Sequence, residues 1–167
     1  VNEKVILTIL LVSAFIFPSE AVELEWLSFD DASNQAMEEG KPFLVDFYTD
    51  WCHWCKVMDE KTFKEEQVSQ ILNEDFVLSR IHAEDANSVV NYQGTSFNNV
   101  EFTRAMGVRG FPSIAFFDSD GTAITIVPGY VEADVFKHIL AYVRDGCYKR
   151  KMSFQEFMEK QGDCEDD

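Results

Sequence analysis

An α/β fold, with a central mixed β-sheet flanked by helices and followed by a C-terminal helical extension, is predicted by three features of this sequence. Apolar runs of strand length alternate with segments of helical periodicity, the pattern of a sheet covered by helices. Two consecutive strand signals, Ser113 to Phe117 and Thr122 to Val127, are joined by Asp118-Ser119-Asp120-Gly121, so part of the sheet is antiparallel. The composition, 46% hydrophobic with 15 Phe in 167 residues, suits one sizeable core and excludes a disordered chain despite a formal net charge of −16.

Leu24 to Phe29 reads as a lead-in strand, and Asp30-Asp31 then offers acidic capping for a helix to about Glu39, which Gly40-Lys41-Pro42 ends. Phe43 to Tyr48 is a nearly continuous apolar run, as expected of a strand buried on both faces, and Asp46 interrupts it. From Cys52 to about Asn73, Val57, Met58, Phe63, Val68, Ile71 and Leu72 recur at helical spacing, as one kinked helix or two. Phe76 to Ile81 alternates as the next strand. Ala83 to Asn98 is polar and reads as a loop or insertion before a short helix around Val100 to Met106. After the hairpin, Glu132 to Asp145 is helical, and Ser153-Phe154-Gln155-Glu156 is a capping box opening a last short helix. Phe43, Phe47, Phe116 and Phe117 are expected in the core.

The segment before this domain has the parts of a secretory signal: a short polar start with Lys4, an apolar run from Val5 to Phe17, and Pro18-Ser19-Glu20-Ala21 as cleavage region. We expect a signal peptide over residues 1–21, the main domain over 22–146 and a helical tail over 147–167, with an uncleaved N-terminal membrane anchor as the alternative. A periplasmic or otherwise extracytoplasmic location follows, where disulfides persist. The 30 acidic against 14 basic residues exclude nucleic acid and an anionic membrane surface as favoured partners.

Trp51-Cys52-His53-Trp54-Cys55-Lys56 stands where the buried strand hands over to a helix. Cys52 is thereby expected in the first turn, where unpaired N–H groups favour its thiolate and make it the nucleophile, with Cys55 more buried as the resolving thiol. A metal site is disfavoured, because adjacent Cys52 and His53 share a tetrahedral site awkwardly and no second ligand pair completes it. Covalent haem attachment fails because Lys56, not His, follows Cys55. No cofactor is expected.

Two segments in this order carry a family likeness. Val45 to Lys56 resembles the strand and active-site segment of the thioredoxin superfamily, and Gly107-Val108-Arg109-Gly110-Phe111-Pro112-Ser113 resembles its loop facing the redox pair. The resemblance covers roughly residues 24 to 145. Trp54 to Asp59 with Thr62-Phe63 is similar to periplasmic reductase-type domains, including the soluble domain of transmembrane thiol:disulfide interchange proteins. The tail, with Tyr148-Lys149, Met152-Ser153-Phe154 and Phe157, is similar to small periplasmic thioredoxins linked with sulfur metabolism.

The resemblance implies a thioredoxin fold, a cis Pro112 with Phe111 beside it as the far wall of a substrate groove, and apolar groove surface from Trp51. It implies that Asp46 is a buried carboxylate assisting deprotonation of the resolving thiol, with its pKa raised by burial. The family also places a Lys near that carboxylate; Arg80 is the nearest candidate, and its register is undetermined from sequence. His53-Trp54 replaces the usual Gly-Pro: His53 either stabilises the thiolate when protonated or is simply exposed, and Trp54 is expected to pack over the thiol rather than recognise substrate, with Trp51, His53, Trp54, Phe111 and Pro112 together the candidate substrate-binding residues.

Cys147 and Cys164 form a structural disulfide stapling the tail, stand as two free thiols, or act as an accessory redox pair; the first is the expectation. The function expected is dithiol exchange that reduces protein or small-molecule disulfides, by a monomer drawing electrons from a membrane thiol donor. The alternatives are a disulfide oxidase or isomerase, or a thioredoxin-fold binding or chaperone module without turnover.

Overall fold

The computed structural model describes residues 23–164. Helix α1 (Phe29–Glu39) precedes strand β1 (Phe43–Tyr48), followed by α2 (His53–Met58), a π turn (Asp59–Phe63), α3 (Glu66–Asp75) and β2 (Val77–His82). Then come β3 (Val89–Tyr92), β4 (Thr95–Asn98), α4 (Asn99–Ala105), β5 (Ser113–Phe117), β6 (Ala123–Pro128) and α5 (Ala133–Arg144). A 3-10 turn (Cys147–Arg150) and α6 (Phe154–Glu159) form the tail.

The main sheet has the order β2-β1-β5-β6, with β1 parallel to β2 and antiparallel to β5, and β5 antiparallel to β6. This is the mixed sheet expected. Alternation along β1 divides the core. Phe43, Val45 and Phe47 face a layer with Phe29, Ala32, Phe102 and Phe117, closed by α1 and α4. Leu44 faces Met58, Phe63, Leu72, Phe136 and Leu140 on the side of α2, α3 and α5. Asp46 is two residues from Leu44, so period-two geometry turns it to the same side as α2.

Three expectations are corrected. The lead-in strand shrinks to one parallel bridge, Leu27 with Ser79, because α1 starts at once: Ser28 is its N-cap and accepts from the Asp31 N–H. Asp30 therefore does not cap. It accepts instead from the Asn91 N–H at 2.8 Å and the Asn91 side-chain amide at 2.6 Å. The polar stretch from Ala83 to Asn98 is not merely a loop, since it contains the antiparallel hairpin β3–β4. Its turn uses Gln93 and Gly94, at φ 49° and 76°, and Tyr92 seats the hairpin edge-to-face on Phe29 and Phe102.

Of the two readings for Cys52 to Asn73, the structure takes two helices, separated by the π turn. The Ser153 capping box forms as read, with Ser153 and Glu156 reciprocally bonded. The tail packs Phe157 and the bonded Cys147–Cys164 pair against Ala141 and Tyr142 of α5. The signal-peptide reading of residues 1–21 lies outside the described residues.

Candidate functional site

The buried strand β1 ends at Tyr48, and the turn Thr49-Asp50-Trp51 delivers Cys52 to the N-cap of α2. Its sulfur accepts from the Cys55 N–H at 3.0 Å, one of the donors that the first turn of a helix leaves without an intrahelical partner. Cys52 and Cys55 are joined by a disulfide, with Cα atoms 5.3 Å apart. The same N–H favours a thiolate on Cys52 once the bond is opened. The expected difference in burial is not found: Cys52 is 3% exposed and Cys55 6%. Bonded to each other, both sulfurs are drawn under the surface, and the exposed groups of this corner are the neighbouring indoles.

Trp51 and Trp54 are 67% and 54% exposed, unusual for residues of this size. Trp51 meets Phe111 edge-on at 6.1 Å and donates its Nε1–H to both carboxylate oxygens of Glu84 at 3.1 Å. Trp54 lies against Tyr130 at 5.3 Å and touches the exposed His53 at 5.6 Å. The Phe111–Pro112 peptide is cis, Pro112 is buried, and its carbonyl accepts from the Gly129 N–H. Trp51 and Phe111, sixty residues apart, are thus brought together beside the cysteines, while Trp54 points to the β6–α5 connection.

Asp46 is 2% exposed. One of its oxygens accepts from Arg80 Nε at 2.9 Å, with Arg80 Nη2 also at 2.9 Å; its other oxygen has no hydrogen-bond partner among the described residues. Arg80 also pairs with Asp59, the first residue after α2, and its guanidinium lies 4.2 Å from the Trp26 ring centre and 5.3 Å from that of Tyr48. Burial pushes the Asp46 carboxyl from 3.8 up to about 6, the Arg80 charge opposing and the Asp59 charge adding. Raised toward neutrality by burial, the Asp46 carboxylate is a better proton acceptor than an ordinary aspartate. Asp59, Glu84 and Tyr130 are the members of this cluster that sequence reasoning left out, and Arg80, named only as the nearest candidate beside Asp46, is found in contact with it. The register left open in the sequence is settled by the parallel β1–β2 pair, in which Arg80 is the Cα partner of Asp46.

The chain resembles known proteins in sequence and in fold. The family model of the thioredoxin-like domain matches residues 29–144. The thiol:disulfide interchange protein DsbD of Citrobacter koseri is 34% identical over 119 residues, 69% of this chain and 19% of that protein. The chain therefore spans about a fifth of the length of the curated relatives it matches. Among solved structures, the C-terminal domain of Neisseria meningitidis DsbD in the reduced form is 27% identical with a TM-score of 0.51, covering 66% of this chain and 90% of that one. A thioredoxin-fold protein from Helicobacter pylori is alike in fold alone, at 19% identity and a TM-score of 0.62, with 73% of this chain and 80% of that one covered.

Proposed function

The chain belongs to the thioredoxin-like family, and on that premise we propose that it is an extracytoplasmic thiol:disulfide oxidoreductase that reduces disulfides of protein or small-molecule substrates through Cys52 and Cys55. The observation that carries this reading is the Cys52–Cys55 bond at the N-cap of α2, with the Cys55 N–H on the Cys52 sulfur.

In the reduced protein the Cys52 thiolate attacks one sulfur of the substrate disulfide. A Cys52–substrate bond forms and the other substrate sulfur leaves as a thiolate. Asp46 takes the Cys55 proton, through water where the two groups are not in contact, and the Cys55 thiolate attacks the Cys52 sulfur. The second substrate thiolate leaves and the Cys52–Cys55 bond closes. Two electrons pass to the substrate and no cofactor is needed. A membrane thiol donor restores the dithiol.

Trp51, Phe111 and Pro112 form one side of the substrate groove, and His53 and Trp54 the other. Cys147 and Cys164 staple the tail, away from this chemistry. The reductive direction rests on the likeness to interchange-protein domains, and the location on the signal-like reading of residues 1–21. Among the described residues no helix is long and apolar enough to cross a membrane.

The test is trapping. Cys55→Ser, reduced and mixed with a disulfide-bonded peptide, accumulates a covalent adduct on Cys52, whereas Cys52→Ser forms none at that site. An adduct on Cys55 in the Cys52→Ser chain and none on Cys52 in the Cys55→Ser chain would reverse the roles.

A further inference from the structure

Strand β2 ends on His82, from which the chain turns through Ala83 to Glu84. The Glu84 backbone N–H donates to His82 Nδ1 at 3.3 Å. A backbone amide has no lone pair to offer, so Nδ1 is the acceptor and the neutral ring carries its proton on Nε2. Nε2 lies 3.4 Å from Asp50 Oδ1. The ring stands edge-on to Tyr48 at 5.1 Å, and Tyr48 is the pairing partner of His82 across β1–β2. The His82 carbonyl is held in turn by the Asn99 side-chain amide at the start of α4. One imidazole therefore touches both segments leaving this end of the sheet, the β1–α2 turn through Asp50 and the β2–β3 connection through Glu84.

Trp51 stands between those two contacts. It follows Asp50 in the chain, and its Nε1–H is held by both oxygens of Glu84. An indole 67% exposed has little packing to choose its rotamer. Its orientation beside Phe111 then depends on where Asp50 sets its backbone and where Glu84 sets its acceptor. His82 fixes both.

We infer that His82 is a positioning residue for disulfide exchange: by tying Asp50 to Glu84 it holds the Trp51 indole beside Phe111 at the rim of the Cys52–Cys55 pair, and so governs the binding of large disulfide substrates rather than the sulfur chemistry. This rests on the exchange activity proposed above. A protein disulfide must lie across the rim to present its sulfur, whereas a disulfide of a few atoms reaches Cys52 without covering Trp51.

The experiment uses the full chain and its His82→Ala, His82→Asn and Glu84→Ala variants, with insulin as the large disulfide and hydroxyethyl disulfide as the small one. His82→Ala raises KM for insulin about fivefold, the loss of one ordered polar link, with kcat unchanged and hydroxyethyl disulfide turnover within about twofold. The ¹H–¹⁵N resonance of the Trp51 indole, assigned by its disappearance in Trp51→Phe, moves in His82→Ala in the direction seen for Glu84→Ala. His82→Asn keeps an acceptor near the Nδ1 position for the Glu84 N–H but loses the Asp50 contact, and restores both readouts partway toward the parent values. The KM effects of His82→Ala and Glu84→Ala are less than additive, since they act on one link.

An indole resonance unmoved in His82→Ala, or equal slowing of both substrates, overturns the proposal. Should His82→Ala not fold, Glu84→Ala alone must raise the insulin KM and His82→Asn must displace the indole resonance less than Glu84→Ala does; either failing also overturns it. Absence of turnover in the unsubstituted chain with both substrates would instead sink the exchange activity, and the indole resonances would still decide the link between His82 and Trp51.

Discussion

Replacing Asp46 with Asn removes a buried charge whose cost can be worked from its titration. The carboxyl is raised from 3.8 to about 6 in the folded protein. Between those values the folded chain keeps a proton that the unfolded chain releases, so stability falls as pH rises through the window. The full loss, reached above pH 6, is about 3 kcal/mol. Arg80 retains Asp59 as a partner in Asp46→Asn, so the substitution does not strand its charge. Urea unfolding of both oxidised proteins at pH 4 and pH 7.5 reads this group against the background the two chains share. The difference in unfolding free energy should move in favour of Asp46→Asn by about 2 to 3 kcal/mol between the two pH values, or about 4 to 12 °C in Tm. A difference between the proteins that does not change with pH would refute the reasoning, because it would mean that Asp46 titrates in the folded chain as it does unfolded.

Arg80→Gln takes away the charge that opposes the burial of Asp46. The midpoint of Asp46, read as the lower limb of the pH profile for resolution of a Cys52 adduct, should move above 6; a midpoint that stays or falls contradicts the pairing. Replacing both Cys147 and Cys164 with Ser opens a bridge of sequence separation 17, which constrains the tail by about 3 kcal/mol. Trypsin cleavage in the tail, around Lys149 to Lys151, should quicken about a hundredfold. Exchange at Cys52 and Cys55 should be unaffected, and unchanged cleavage would show that the tail is held without the bridge.

What was legible in the sequence was what local chemistry decides. The apolar run Phe43 to Tyr48 has the length and the flanking Gly and Pro of a buried strand, and the Asp118 to Gly121 turn joins two strand signals as a hairpin, so a mixed sheet was expected. Cys52 at the start of α2 is likewise local, since a strand of fixed length ends four residues before it. The omissions are of two kinds. Hairpin β3–β4 was hidden because only Val90 of its first strand is buried, and because Gln93-Gly94 is a weaker turn signal than Asn-Gly. Glu84 and Tyr130 reach the site through loop placement, and Arg80, legible only as a candidate, through strand register. Asp46 pairs with Arg80 across a crossover containing two helices, and no count along the sequence sets that register. Ser28 was passed over for the acidic pair beside it, although Ser is as good an N-cap as Asp and here stands one residue ahead of the helix.

The most direct test of the central claim is the equilibrium of the Cys52–Cys55 pair with glutathione redox buffers, read by mass after alkylation. A reductase that passes two electrons from this dithiol predicts a single two-electron transition assigned to Cys52 and Cys55, at a potential near that of thioredoxin, about −270 mV. A potential near about −120 mV would contradict the reductive direction, and a Cys52–Cys55 bond that does not respond to the buffer at all would contradict the exchange itself.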